Sequence, residues 1–365
     1  MKKALFITHE NIDDTPVAKA MFFDIYKDIN QKNNFSFLSA HPHNKSINSE
    51  NLLFFTRKQK KGINIKDMIS FFTWPVKNLS LFYSFDIFIC RSYPAAMLVW
   101  IYTAFFKNKN YIIDTRGLFF DELIDSGTIN SKILVSILRL VEKRILKKSS
   151  YVIAVSLAQK DFYVKNHSIN PSKITVIHNG APKSLITENK ITEGKINLLY
   201  IGSFIDWHCP SELLTLFDEI SKFAETELTI YTKDIKFAKR IFGLRRNITI
   251  QTLNFRDKPK RFDLGFCLIK GGVSKEICFP VKLCEYINSG TKVLISNNIH
   301  EINNLELRAG LDFYNIDIHD LKNEIVNIIE YINSNKSYYP DLPSNLTFDH
   351  QVSMYKNLLS IMINK

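Results

Sequence analysis

Glycine and proline are scarce in this chain, 12 and 11 among 365 residues. Extended low-complexity linkers are therefore not expected. Cysteine is rarer still: Cys90, Cys209, Cys267, Cys278 and Cys284 are odd in number and show no metal-ligand spacing. That argues against a disulfide framework and reads as reduced, buried thiols. No signal-peptide core is present, because Lys2 and Lys3 lead straight into the short run ALFIT. The longest near-apolar run, residues 95–106, holds about twelve residues, against roughly 20 for a membrane span. The expectation is a cytoplasmic protein, soluble or peripheral at the inner face of a membrane. Neither a nucleic-acid-binding motif nor a paired-aspartate metal signature is seen, so no nucleic acid, metal or cofactor is expected.

What is present fits a folded protein of two domains. Apolar residues make up 45% and charged residues 23%, and 365 residues are long for one core. The net charge of +12 is unevenly placed. Residues 1–180 hold 25 Lys and Arg against 14 Asp and Glu, whereas residues 181–365 hold 23 against 22. The first half is thus free to face an anionic partner: nucleic acid, anionic lipid or a phosphorylated acceptor.

Short apolar runs alternate with helical patterns. Strands are expected at 4–8, 34–39, 52–56, 85–91, 111–114, 151–156 and 174–177. Helices are expected at 15–30, 95–107, 131–148 and 157–166. A polar break at 178–194 is the best linker, and the alternation then restarts. Strands follow at 198–202, 227–232, 248–251, 264–269 and 292–296, with helices at 210–223, 235–242, a short one near 281–288, and 320–333. Such alternation implies parallel sheets covered on both faces. The predicted architecture is α/β, with two doubly wound domains at 1–180 and 181–345. A last amphipathic helix within 346–365 need not belong to the second domain.

The stretch 262–296 carries the most chemistry. Between two buried strands it places Lys270, Gly271, Gly272, Ser274, Lys275, Glu276, Pro280, Lys282 and Glu285. Cations, glycines and a helix start at the carboxyl end of a parallel strand suit a phosphate-bearing ligand. Glu285, one turn into the helix, can hold a ribose through its hydroxyls. The plainer reading of Lys275 and Lys282 is that they solvate a helix end. In the first half, His9 and Arg91 end strands on the same edge, and Arg116, Asp121 and Glu122 follow another strand. Arg116 would hold an anionic acceptor or a leaving phosphate, and Asp121 or Glu122 would orient an acceptor hydroxyl. For either acid the alternative is a helix N-cap, and for His9 a structural role. Residues 57–85 combine RKQKK with Trp74, Phe71, Phe72 and several aliphatics, a pattern suited to an anionic membrane surface. The alternative is an ordinary surface loop and buried helix.

With these motifs in view, the chain resembles the GT-B glycosyltransferases, in particular the large retaining group that builds bacterial surface polysaccharides. The pattern S-K-x4-P-x-K-x-x-E-Y appears as Ser274, Lys275, Pro280, Lys282, Glu285 and Tyr286. The turn Tyr200–Phe204, with Gly202, Ser203 and Trp207, looks like the group's donor-phosphate loop. VIHNGAP, CRSYPAA and DTRGLFFDE resemble further motifs of these enzymes. Two departures stand out. An Arg and a Lys common in the donor loop would fall at Ser203 and near His208. The first of two glutamates seven residues apart falls at Ile277, with Glu276 beside it, while Glu285 fits the second.

The resemblance implies a metal-independent hexosyltransferase that retains anomeric configuration. Gly202, Ser203, Ser274, Lys275, Lys282 and Glu285 would bind the donor, and Arg116, Asp121, Glu122 and Glu276 would serve the reaction. His9 and Arg91 would sit on the acceptor side. A nucleotide sugar would be the donor and a glycan or undecaprenyl-linked chain the acceptor, in capsule, O-antigen or exopolysaccharide synthesis. The basic N-terminal domain would meet an anionic membrane surface. Competing readings are a nucleotide-sugar epimerase of the same fold and a degenerate binding subunit of an assembly complex. Without the two loop cations, Lys275 and Lys282 must carry more of the diphosphate charge.

Overall fold

A computed structural model describes residues 2–11, 22–30, 35–40, 51–56, 64–103, 109–181, 194–243, 245–252, 262–303, 311–334 and 342–364. The RKQKK run at 57–61 and most of the expected linker lie outside the described residues, as does the first half of the helix expected at 15–30. The chain divides into two compact units. Unit 1 comprises Met1–His178 with Asp349–Lys365, and unit 2 comprises Asn179–Phe348.

Unit 1 is built on seven parallel strands: β1 (Ala4–Ile7), β2 (Ser36–Ser39), β3 (Leu52–Phe54), β4 (Ile87–Arg91), β5 (Asn110–Asp114), β6 (Tyr151–Ala154) and β7 (Ile174–Val176). Their order is β3-β2-β1-β4-β5-β6-β7, and every pair is parallel. β1 and β4 are buried along their whole length, which is why their sequences are continuous apolar runs rather than alternating ones. Sheet order reverses at β1, which pairs with β2 on one side and β4 on the other. In such sheets ligands bind beyond the carboxyl ends of the strands that flank the reversal.

Unit 2 repeats the plan with β8 (Lys195–Ile201), β9 (Glu225–Thr232), β10 (Ile248–Thr252), β11 (Leu264–Cys267), β12 (Lys292–Ser296) and β13 (Phe313–Ile316). The order is β10-β9-β8-β11-β12-β13, again all parallel. The reversal falls between β8 and β11, whose ladder spans only Leu198–Leu264 and Leu199–Gly265. Beyond it the strands part. The Tyr286 hydroxyl fills the gap, accepting from Ile201 N at 2.9 Å and donating to the Phe266 carbonyl at 3.1 Å. Gly265 makes room, since a Cβ there would meet the Tyr286 ring at 2.7 Å. The Glu-Tyr pair of the sequence motif is thereby seated against the strand split.

The two α/β sheets agree with expectation, but several boundaries move. The helix expected from residue 320 begins at Ile325, and the one expected from 95 begins at Ser92. β13 was not anticipated. Residues 65–77 form a helix, opened by a reciprocal Asn64–Asp67 capping box. Its Phe71 and Trp74 are buried, whereas Ile65, Ile69 and Val76 are exposed. The final helix, Phe348–Asn364, buries Val352, Tyr355, Leu358, Leu359 and Met362 at helical spacing. Each such burial is worth about 1.5–3 kcal/mol. Within unit 1 this helix is tied by Lys356 to Asp28 at 2.9 Å and by Lys2 Nζ to the Met362 carbonyl at 3.1 Å.

Candidate functional site

Each unit gathers polar side chains at the carboxyl ends of the strands where its sheet reverses. In unit 2 the chain leaves β8 through Gly202, at φ +143°, a conformation that disfavours any side chain. Space matters as well: a Cβ there would lie 3.0 Å from Lys282 Cε and 3.2 Å from Nζ. The Lys282 side chain therefore lies against bare backbone. Its Nζ is buried with no hydrogen-bond partner among the described residues, and its polar contact is the Tyr200 ring, 4.7 Å to the centroid. Burial pulls the Lys282 ammonium below the usual lysine range, with Cys267 and Glu285 opposing. An uncompensated buried cation is costly in the free protein. It is the arrangement of a site that expects an anion.

Other groups converge on the same loop. Lys275, also buried, holds its Nζ 4.2 Å from the Trp207 ring centroid, and Trp207 is anchored by its carbonyl to Lys270 N at 2.8 Å. The Ser203 carbonyl accepts from Tyr200 Oη and faces His208 Nδ1, both at 2.7 Å. Phe204 N donates to Asp234 at 2.9 Å, which completes the fixing of the turn. Burial drives the His208 imidazole down to about 3, with the charges of Lys282 and Lys275 adding to the effect. Glu285 moves the other way: burial raises its carboxyl to about 7 against the pull of Lys282. Ser274 is buried on the short helix Val273–Glu276, and the Glu276 carboxylate lies toward Gly271. Ile277, at the position of the absent first glutamate, is buried. Gly202, Ser203, Lys275 and Lys282 thus meet around one loop. Neither lysine merely solvates a helix end, because both are buried.

In unit 1 a cavity of about 240 Å³ is lined by His9, Glu10, Arg91, Ser92, Thr115, Arg116, Gly117, Phe119 and Glu122. Arg91, at the end of β4, donates from Nε to Glu10 at 2.6 Å. Burial acts to raise the Glu10 carboxyl, but the charge and hydrogen bond of Arg91 outweigh it and hold it below the usual range. Arg116 Nε donates to Asp114 at 2.7 Å, and the Tyr355 hydroxyl donates to the same oxygen at 2.5 Å. Arg116 and Ser92 both have positive φ, +58° and +66°, strain of the kind that collects at functional sites. Arg91 Nη1 and His9 Nδ1 are buried and unpartnered among the described residues. Burial lowers the His9 imidazole, so the cavity offers a neutral ring nitrogen and an unused guanidinium donor.

This cavity corrects two expectations. Both arginines already face carboxylates, so the pocket is not the net-positive anion cradle foreseen for Arg116. Asp121 and Glu122 do not lie in a loop but on the helix Phe119–Asp125, whose N-cap is Leu118. Glu122 lines the cavity. Asp121 instead accepts from Arg139 Nη2 at 3.0 Å, and burial together with nearby Glu142 raises its carboxyl. Neither acid is the N-cap. Glu10, Ser92, Thr115 and Tyr355 were missed. Glu10 directly follows His9 at a strand end and was within reach of the topological argument, whereas nothing in the local pattern marked Tyr355.

Residues 56–184 match the family model described as Glycosyltransferase Family 4. That match spans about a third of the chain, and the two parallel α/β sheets have the GT-B fold of solved glycosyltransferases. An uncharacterized glycosyltransferase of Methanocaldococcus jannaschii is 25% identical over 173 residues, 44% of this chain and 43% of that protein. The match thus spans less than half of that curated relative. Among solved structures, sucrose-phosphate synthase from Thermosynechococcus elongatus superposes with a TM-score of 0.71 at 11% identity, covering all of both chains. Anabaena HepE, in complex with UDP and glucose, gives 0.67 at 13% identity over 99% of this chain and 100% of its own. These structural likenesses carry the fold.

Proposed function

We propose that this protein transfers a sugar from a nucleotide diphosphate donor, bound by unit 2, to a lipid-linked or growing glycan acceptor engaged by unit 1. The observation that carries the reading is the buried, unpartnered Lys282 ammonium lying against bare Gly202, with Lys275 beside the same loop. A diphosphate would supply the missing counter-charge, and charge-assisted contacts are roughly twice as strong as neutral ones. Gly202, Ser203 and Ser274 would add polar contacts to the phosphates, Glu285 would hold the ribose, and Glu276 would face the donor sugar. HepE, of the same fold, carries UDP and glucose, which agrees with a sugar nucleotide as donor.

The acceptor cavity of unit 1 balances its charges, as Arg91 with Glu10 and Arg116 with Asp114. It suits a hydroxyl-rich sugar, with Arg91 Nη1 and His9 Nδ1 as its spare polar atoms. In the retaining reaction the C1–O bond to the diphosphate breaks as the acceptor oxygen bonds to C1 on the same face. The acceptor proton passes to the departing phosphate oxygen. The developing phosphate charge is what Lys275 and Lys282 would stabilise.

No described helix is long and apolar enough to cross a membrane. Peripheral docking is supported by exposed Ile65, Ile69 and Val76 on one unit 1 helix. A second, Lys132–Lys148, exposes Ile133, Leu134, Ile137 and Leu140 beside Lys132, Arg139, Arg144, Lys147 and Lys148. Capsule, O-antigen or exopolysaccharide assembly at the cytoplasmic face is the setting that the family resemblance implies.

A thermal-shift panel of UDP, GDP, ADP and CMP nucleotides tests the donor site, since ligand at 100 times its dissociation constant adds about 2.7 kcal/mol. No shift with any of them would sink the proposal. Donor incubated alone separates transfer from epimerisation, which would yield an epimer without acceptor. A non-catalytic role is favoured only by Ser203 and His208 standing where cations are common. It would be supported if Lys282→Ala and Glu285→Ala left polymer assembly in cells intact.

A further inference from the structure

The donor loop holds a histidine in surroundings that keep it neutral, and the geometry names which nitrogen is available. His208 Nδ1 lies 2.7 Å from the Ser203 carbonyl. A carbonyl can only accept, so Nδ1 carries the hydrogen and Nε2 keeps its lone pair. The ring is fixed on one side by this bond and stands edge-on to Trp207 at 6.2 Å between centroids. The charges that face it come from two other elements: Lys282 on the helix Val281–Asn288 and Lys275 on the helix Val273–Glu276. Both are positive. Its own turn adds Asp206 and Cys209, and the Cys209 thiol is pushed up to about 12 by burial and the nearby Glu212 charge. Glu285 sets a carboxylate charge against Lys282.

We propose that His208 is a conditional cation at the diphosphate site: neutral in the free protein, it takes up a proton at Nε2 when a sugar nucleotide binds. The inference rests on the reading of unit 2 as a sugar-nucleotide site. In the free protein, burial and the charges of Lys282 and Lys275 oppose a third positive charge. A bound diphosphate brings two negative charges, neutralises both lysines and leaves Nε2 beside an acceptor-rich anion. The proton comes from bulk buffer and stays on the ring while the nucleotide is bound, so no other reactant is needed. The sign follows directly. The bound complex holds more protons than its separated parts, so affinity rises as pH falls, by up to about tenfold per unit, and levels off above the bound-state pKa. A chain with Arg or Lys in this loop would bind its donor with little pH dependence. This one would hold it best in mildly acidic conditions.

Calorimetry reads the proton directly. The probe is whichever of UDP-glucose, GDP-glucose and ADP-glucose gives the largest thermal shift. Their diphosphate diesters have no proton to gain near neutrality. Titrations in Hepes and in Tris, which differ in ionisation enthalpy, give the number of protons taken up on binding. Wild type should take up a fraction of a proton that grows toward one between about pH 7 and 5.5. His208→Asn keeps an amide donor for the Ser203 carbonyl but cannot be protonated, and its uptake should vanish. His208→Lys should bind at pH 8 more tightly than wild type, with a flat pH profile. Glu285→Gln removes the other titratable group of the site and, titrated to saturation, should keep the uptake per nucleotide bound. Binding without proton uptake would overturn the role of His208 while leaving the donor site standing, as would uptake lost only in Glu285→Gln. Absence of binding by every sugar nucleotide would overturn the donor site and this inference with it. If His208→Asn does not fold, the imidazole 15N shifts of wild type, with and without nucleotide, report the same protonation. An unchanged neutral pattern refutes it.

Discussion

Replacing Lys282 with Met should make the free protein more stable and the nucleotide complex weaker. The side chain is buried, its ammonium has no hydrogen-bond partner among the described residues, and the Tyr200 ring centroid lies 4.7 Å from Nζ. Leaving a buried polar group unsatisfied costs about 1–3 kcal/mol, more when it is charged. Met keeps the length and the packing of the stem and removes the charge. The lost cation–π contact gives back about 0.5–1 kcal/mol. A net gain of about 1 kcal/mol corresponds to roughly 2–4 °C in Tm for a domain of this size. Binding should move the other way. A hydrogen bond to a charged group contributes about 1.5–3 kcal/mol, so the dissociation constant for the nucleotide should rise about 10- to 150-fold. Differential scanning calorimetry without ligand and titration calorimetry with it measure both effects on one preparation. A lowered Tm with unchanged nucleotide affinity would refute the reasoning, because Lys282 would then be a structural residue with a partner of its own.

Three further outcomes follow from the same geometry. Gly202→Ala puts a Cβ 3.0 Å from Lys282 Cε at a φ of +143°. The expected loss of about 1–3 kcal/mol in urea unfolding should come with weaker nucleotide binding. Burial raises Glu285 from 4.5 to about 7. Between those values the native state keeps a proton that the unfolded chain has released. Stability should therefore fall as pH rises through that window, by up to about 3 kcal/mol, and be flat above it. Glu285→Gln should flatten the profile, and an identical profile in the variant would assign the slope elsewhere. Lys292 is buried in β12 and its Nζ donates to the Tyr331 carbonyl at 2.6 Å and to Ser334, at the end of the helix Ile325–Asn333. Lys292→Met should cost about 1.5–3 kcal/mol by chemical denaturation with little change in nucleotide affinity.

The division of polar labour between the units has a physical consequence. Unit 1 pairs its buried charges internally, Arg91 with Glu10 and Arg116 with Asp114 and Tyr355, so its cavity is preorganised and close to neutral. Unit 2 leaves the Lys282 ammonium without a hydrogen-bond partner among the described residues, and on the proposed reading a ligand's charge would complete it. A buried pair holds geometry at little net gain, whereas a buried lone cation stores unfavourable desolvation that binding releases. The first arrangement fits orientation of sugar hydroxyls and the second fits capture of phosphate.

Much of this was legible in the sequence because it depends on local spacing. Alternating apolar runs specify parallel α/β sheets, since a strand buried on both faces must be apolar throughout. Lys275, Lys282 and Glu285 fall near one strand end because a short loop and one helical turn join them. β13 escaped because Phe313–Ile316 is only partly buried along most of its length and lacks an apolar signature. Glu10 was overlooked because its partner, Arg91, is 81 residues away. Tyr355 lies 241 residues from Asp114, and only the return of the last helix to unit 1 brings their oxygens to 2.5 Å. Asp121 and Glu122 are neighbours in sequence, yet adjacent positions on a helix point about 100° apart, so one lines the cavity and the other meets Arg139. Sequence alone thus determined the fold class and which residues stand at the strand ends, because backbone periodicity and short connections are local. Tertiary structure alone decided which charges are neutralised and which stand bare, because a counter-charge is supplied by whatever distant segment the fold brings within reach.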